Sequence, residues 1–133
     1  MALSADLNVD MTVVDRVITA KAGSADTLYK GAIVNIGTDG YVKVAADVAS
    51  EHCAGIMKKQ VVAAGSNAED CEILVGCAWL AHTGAAAGDV GALFHASADD
   101  TLGDAAGTNV GACGLCIGWK AGYLLIDFMR RVI

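Results

Sequence analysis

The sequence predicts an all-β protein: a small antiparallel β-sandwich or barrel preceded by an extended N-terminal arm. Three observations lead there. Short runs rich in Val, Ile and Leu recur along the chain, separated by Gly and small polar residues. Helical periodicity is weak throughout. An Asp-Gly pair, Asp39-Gly40, stands between two β-prone runs, as in a hairpin. A chain of 133 residues and 13.5 kDa suits one domain. Its core must be thin, because Ala and Gly (16 Gly) fill much of the apolar quota. The absence of Pro excludes polyproline linkers.

Residues 1–20 form the arm and residues 21–133 the β-rich domain. Around Val9, Met11, Val13, Val14, Val17 and Ile18 the arm alternates polar and apolar residues, as an extended segment or first strand does. The spacing of Val14, Val17 and Ile18 also fits a short helix. Ala32–Ile36 and Tyr41–Val44 form the hairpin, with a type I′ turn at Asp39-Gly40. Ala45–Ser50 is a small-residue loop. The next strand, Cys53–Val62, is interrupted by Lys58-Lys59-Gln60, and Glu72–Ala81 is strongly apolar. Val90–Ala96, Val110–Trp119 and Tyr123–Val132 complete the set. Ala45–Glu51 and Thr83–Asp89 each leave room for one helical turn.

Charge narrows the partners. The net charge is −6, and no Lys or Arg occurs between Gln60 and Trp119, where seven acids stand. Phosphate backbones and anionic membranes demand the reverse, so neither nucleic acid nor membrane is expected. No apolar run is long enough for a membrane-spanning helix. Met1–Asp6 has neither a basic nor an apolar leader region, so no signal peptide is expected. The five cysteines then point to free thiols in a reducing cytoplasm.

Each candidate for chemistry has a plainer reading. Cys113-Gly114-Leu115-Cys116 is a Cys-x-x-Cys, but no second ligand pair completes a zinc site. On a strand, its two thiols face opposite ways. Buried structural thiols are expected. Cys71 and Cys77 are separated by roughly 20 Å of strand and cannot bridge. His52 and Cys53, adjacent in a strand, point apart, so the imidazole does not activate that thiol. Asp99-Asp100 with Asp104 reads as a solvated acidic loop, since the Gly and Glu of a calcium loop are missing. The Gly-rich stretches 84–91 and 103–114 lack any phosphate-loop spacing. No catalytic residue, cofactor or metal site is therefore expected, and contact with other protein is the expected role.

A family resemblance sharpens this. Leu28-Tyr29-Lys30-Gly31-Ala32-Ile33-Val34 followed by Asp39-Gly40-Tyr41-Val42 resembles the opening of tailed-bacteriophage head-decoration proteins, also called capsid cement proteins. Later segments are similar in order: His52–Ile56, Glu72–Ala78, Gly88–Phe94 with Asp99–Leu102, Val110–Gly114 and Leu124–Asp127. The likeness spans residues 20–128. It implies a β-rich, tulip-like domain without enzyme activity, made in the host bacterial cytoplasm. It further implies a homotrimer seated on the outer surface of the virion, with the major capsid protein as partner. The five cysteines and two tryptophans depart from the pattern. Val9, Met11, Val13 and Arg16 of the arm, with Arg130 and Arg131 at the C-terminus, are the expected protein-contact residues. Alternative readings are another virion β-domain, in tail or baseplate, and a small Cys- or metal-dependent enzyme.

Overall fold

The computed structural model describes residues 3–23, 25–46, 48, 51–103 and 112–130. The described residues are nearly all β, with 56% in strand and 3% in helix. The strands are β1 (Asp10–Lys21), β2 (Thr27–Leu28), β3 (Ile33–Gly37), β4 (Val42–Val44), β5 (Glu51–Met57), β6 (Val61–Val62), β7 (Asp70–Ala81), β8 (Leu93–Ala98), β9 (Thr101–Gly103), β10 (Gly114–Lys120) and β11 (Tyr123–Asp127). One 3₁₀ turn, Ala87–Asp89, falls in the segment with room for a helical turn. The Asp89 carboxylate accepts the Ala86 N–H at its start, at 3.0 Å.

All strand pairs are antiparallel, and the large sheet runs β4-β3-β5-β7-β11-β10-β8-β9, with β1 on the other edge of β7. β2 and β6 form a separate pair. The path curls back on itself. Ile33 N–H, at the start of β3, donates to the Asp99 carbonyl in the β8–β9 turn at 2.9 Å. Inside the curl lies the larger core, with Phe94, Phe128, Leu124, Ile126, Ile33, Ile56, Cys113 and Cys116. A smaller core gathers Leu28, Val34, Val42, Met57, Cys71 and Ile73. Strand β7 serves both. Cys71, Ile73 and Val75 are buried at alternate positions, then Ala78 and Leu80. Residues of opposite parity occupy opposite faces of a strand, so β7 changes its buried face across Gly76-Cys77. Gly76 is required there, because a Cβ would sit on the carbonyl oxygen of Val13 in β1.

The hairpin forms where expected, pairing Val34 with Val44 and Ile36 with Val42. Its turn is not type I′. That turn needs positive φ at both central residues, whereas only Gly40 is left-handed here, at φ 83°. Gly40 N–H donates to the Gly37 carbonyl at 2.9 Å, so three residues make the connection. The last strand stops at Asp127 rather than continuing to Val132. The Asp127 carboxylate accepts the Met129 N–H at 2.9 Å and turns the chain. Strand β8 starts at Leu93 instead of Val90, because the 3₁₀ turn leads into a bend at Val90-Gly91. Strands β2 and β9 are additions to the sequence reading, and β6 is the end of the expected Cys53–Val62 strand, split off after the break at Lys58-Lys59-Gln60 and paired with β2.

The expected arm is extended, but it is woven into its own chain. From Asp10 to Lys21 it pairs with β7, in register from Asp10–Trp79 to Lys21–Asp70. Ahead of that strand, Leu7 N–H donates to the Lys30 carbonyl at 2.8 Å, and Leu3 N–H to the Asp99 carboxylate at 2.9 Å. The helical alternative for residues 14–18 is excluded by this pairing. A boundary at residue 20 falls within β1, one residue before its end.

Candidate interaction surface

The side chains with chemical potential are mostly sealed. All five cysteines are free and buried. Cys113 and Cys116 belong to the same core, a correction to the expectation that they face apart. Cys113 precedes β10, so strand alternation does not count from it. Among the described residues, no group of three or more His, Cys, Asp or Glu is placed to hold a metal. His52 is exposed while Cys53 is buried, as the strand reading requires. His82 packs edge-on against Phe94 with ring centroids 5.4 Å apart. The buried Asn35 amide donates to the Ala46 carbonyl at 2.9 Å and to the Glu51 carboxylate at 3.2 Å, pinning the loop after β4. Burial pushes the Cys71, Cys77 and Cys116 thiols above the usual thiol range, and neighbouring carboxylates add to the effect. Thiolate is the reactive form. Iodoacetamide at neutral pH should therefore leave the native protein unlabelled and modify all five thiols in denaturant. Rapid labelling of Cys71, Cys77 or Cys116 in the native state, read by mass spectrometry, would contradict this.

Asp99 also departs from expectation: it is buried, not solvated. Burial raises its pKa above the ordinary 3.8, and the Asp100 charge raises it further against the lowering by the Leu3 N–H. A folded-state pKa above the unfolded value gives stability that is full below pH 3.8 and lost as pH rises through the folded value. Asp99→Asn keeps an acceptor for Leu3 and removes the charge. Thermal melts should show the variant at least as stable as the parent at pH 7, with the two converging as pH falls toward 4. A less stable variant at pH 7 would refute this account. Asp99 also lines a cleft of about 680 Å³ with Leu3, Leu7, Ile33, Leu80 and Thr101, largely apolar and open to solvent.

What the fold does present is exposed apolar surface. On β1, Val13, Val14 and Val17 are 45–49% exposed, although they lie in a strand of the main sheet. Val14 is opposite Gly76 and Val17 opposite Leu74, so both lie on one face, two β7 residues apart. Paired charges flank this strip: Lys21–Asp70 at 2.7 Å, and Glu72 with Lys58 at 3.2 Å and Lys59 at 3.6 Å. A second patch lies farther along the sheet. Trp79 lies opposite Leu125, which lies opposite Gly118. Gly118 lies beside the indole, whose edge would stand 3.5 Å from a Cβ there, an ordinary contact. Lys120 Nζ stands 4.5 Å from the Trp79 ring centre and 5.3 Å from that of Tyr123. Trp119 and Tyr123 are about half exposed.

The expected contact residues divide accordingly. Val13 and Arg16 lie exposed on β1. Val9 and Met11 do not join them: both are partly buried and pack against the main core of their own chain, because the strand carries them over β7. Arg130 is exposed beyond β11, its carbonyl accepting the Leu115 N–H at 2.8 Å. Arg131 lies outside the described residues, as does Asp104. Val14, Val17 and Tyr123 were missing from the expected set. Their signal, apolar residues on the outward face of a paired strand, exists only once strand partners are known. Among the described residues, no helix is long and apolar enough to cross a membrane. Compared with family models, curated proteins and solved structures, the chain finds no match.

Proposed function

We propose that this protein is a capsid decoration protein of a tailed phage, a structural cement bound to the outer surface of the major capsid lattice. The observation that carries the reading is the exposed apolar strand β1, with the Trp79–Tyr123 patch on the same sheet. Val14 and Val17 expose apolar area on one face of the sheet, and Val13 with the Trp79–Tyr123 patch on the other. Such area suits docking on a capsid floor, where each contact is weak and repetition over the lattice supplies the avidity. The order of sequence segments from Leu28 to Asp127 supports the same reading. Under it, the protein is made in the host bacterial cytoplasm, assembles as a homotrimer with itself and joins the virion from outside. It takes no cofactor and catalyses no reaction.

The test uses shells assembled from the major capsid protein encoded in the same genome. The purified protein should cosediment with them, saturate at a fixed ratio to the capsid subunits, and raise their rupture temperature. Val17→Asp, an exposed change that leaves the core untouched, should weaken that binding. A protein that stays in the supernatant at all shell concentrations would refute the proposal.

A further inference from the structure

The cleft beside Asp99 is bounded by the start of β3, the end of β7, the β8–β9 turn and the segment ahead of β1, which contributes Leu3 and Leu7. That segment is seated closely: a Cβ on Gly31 would overlap the Leu7 carbonyl, and Gly31 is left-handed at φ 83°. At about 680 Å³ the cleft has the size of a small-molecule site. Leu3, Leu7, Ile33, Leu80 and Leu102 give it walls suited to an apolar body.

Its deepest polar group is a carboxylate. Asp99 is 3% exposed, and carboxylates so buried are almost always paired with a cation or a strong donor. The other two buried polar residues, Asn35 and Glu51, hydrogen-bond each other. Asp99 meets a neutral donor, the Leu3 N–H, at 2.9 Å. No Lys or Arg is among the residues that line the cleft. Burial is the largest influence on the Asp99 carboxyl and raises its pKa, as happens when a charge is short of compensation. Asp100, whose carboxylate accepts the Thr101 hydroxyl at 2.9 Å, lines the same cleft and adds negative potential.

We propose that this cleft binds a small amphipathic amine, with the ammonium donating to Asp99 and the apolar body packed against the leucines and Ile33. The ligand supplies the positive charge that the walls lack. Two acids at the mouth repel a carboxylate or phosphate of the same shape, and a neutral analogue gains the apolar contacts alone. The inference does not depend on the capsid reading and is tested on the purified protein.

The probes are 2-phenylethylamine, 2-phenylethanol and 3-phenylpropanoate, which share a body and differ in charge. In amide NMR titrations the amine should shift Leu3, Leu7, Gly31 and Thr101 saturably. It should bind about tenfold or more tighter than the alcohol, the factor carried by one hydrogen bond to a charged group, and the carboxylate should not bind. Asp99→Asn, which keeps an acceptor for Leu3, should erase the difference between amine and alcohol. Leu7→Trp, on an exposed wall, should weaken both alike. An amine that leaves these resonances unmoved would overturn the inference. So would equal binding of amine and alcohol to the parent, or an Asp99→Asn protein that keeps the preference. Cleft resonances that move on dilution of the protein and not with the amine would assign the cleft to a second copy, and would overturn it too.

Discussion

Replacing Phe94 with alanine is expected to cost about 3–5 kcal/mol, the range for emptying a fully buried aromatic site. Phe94 is 0% exposed and lies where β8 meets β10, opposite Gly114, with His82 edge-on against its ring. Phe94 shares its core with Leu80, Leu124, Ile126 and Phe128, whose own packing limits how far they can shift into the space. With a total stability of about 5–15 kcal/mol for a domain of this kind, the loss would leave a substantial unfolded fraction at growth temperature. Urea melts of Phe94→Ala and Phe94→Leu decide the matter. The leucine variant should lose much less, and equal losses would show that the ring's volume does not matter.

Gly76→Ala is expected to free β1 from the sheet. The new methyl would overlap the Val13 carbonyl oxygen, a backbone atom that can move only if the strand does. A steric break of this kind falls in the upper part of the range for single substitutions, about 3 kcal/mol. Trypsin reports it directly, since Arg16 and Lys21 both lie in β1. Cleavage there should accelerate in Gly76→Ala. Gly88→Ala is the control: nothing lies within 4 Å of a Cβ at that site, and its stability should change by no more than about 0.5 kcal/mol. A Gly76→Ala protein as protease-resistant as the parent would show that β1 does not depend on this close approach.

The fold class was legible because strands announce themselves locally. The hairpin at Asp39-Gly40, the break at Lys58–Gln60 and the apolar run ending at Ala81 need only their own residues to be read. What lay hidden was nonlocal. Nothing within Asp10–Lys21 says that its partner is Asp70–Trp79, so a strand of the sheet reads as an arm. The same ignorance made Val9 and Met11 look available for contact, although they cover their own core. Asp99 looks solvated beside Asp100, and only the fold brings Leu3 and the start of β3 over it. Two-residue strands such as β2 and β6 carry no pattern at all. The interaction surface was half legible: Val13 and Arg16 follow from alternation along the arm, whereas the Trp79–Tyr123 patch required knowing that Leu125 and Gly118 lie beside Trp79.

The proposed role on the capsid rests on exposed apolar residues and segment order. The most direct test is cryo-electron microscopy of virions produced from the genome that encodes this chain, combined with mass spectrometry of their proteins. The protein should be found in fixed proportion to the major capsid protein. Density matching the curled β-sheet should lie on the outer face of the shell, with the exposed face of β1 or the Trp79–Tyr123 patch against a neighbouring subunit. Virions that lack the protein, or that carry it only in the tail, would contradict the account.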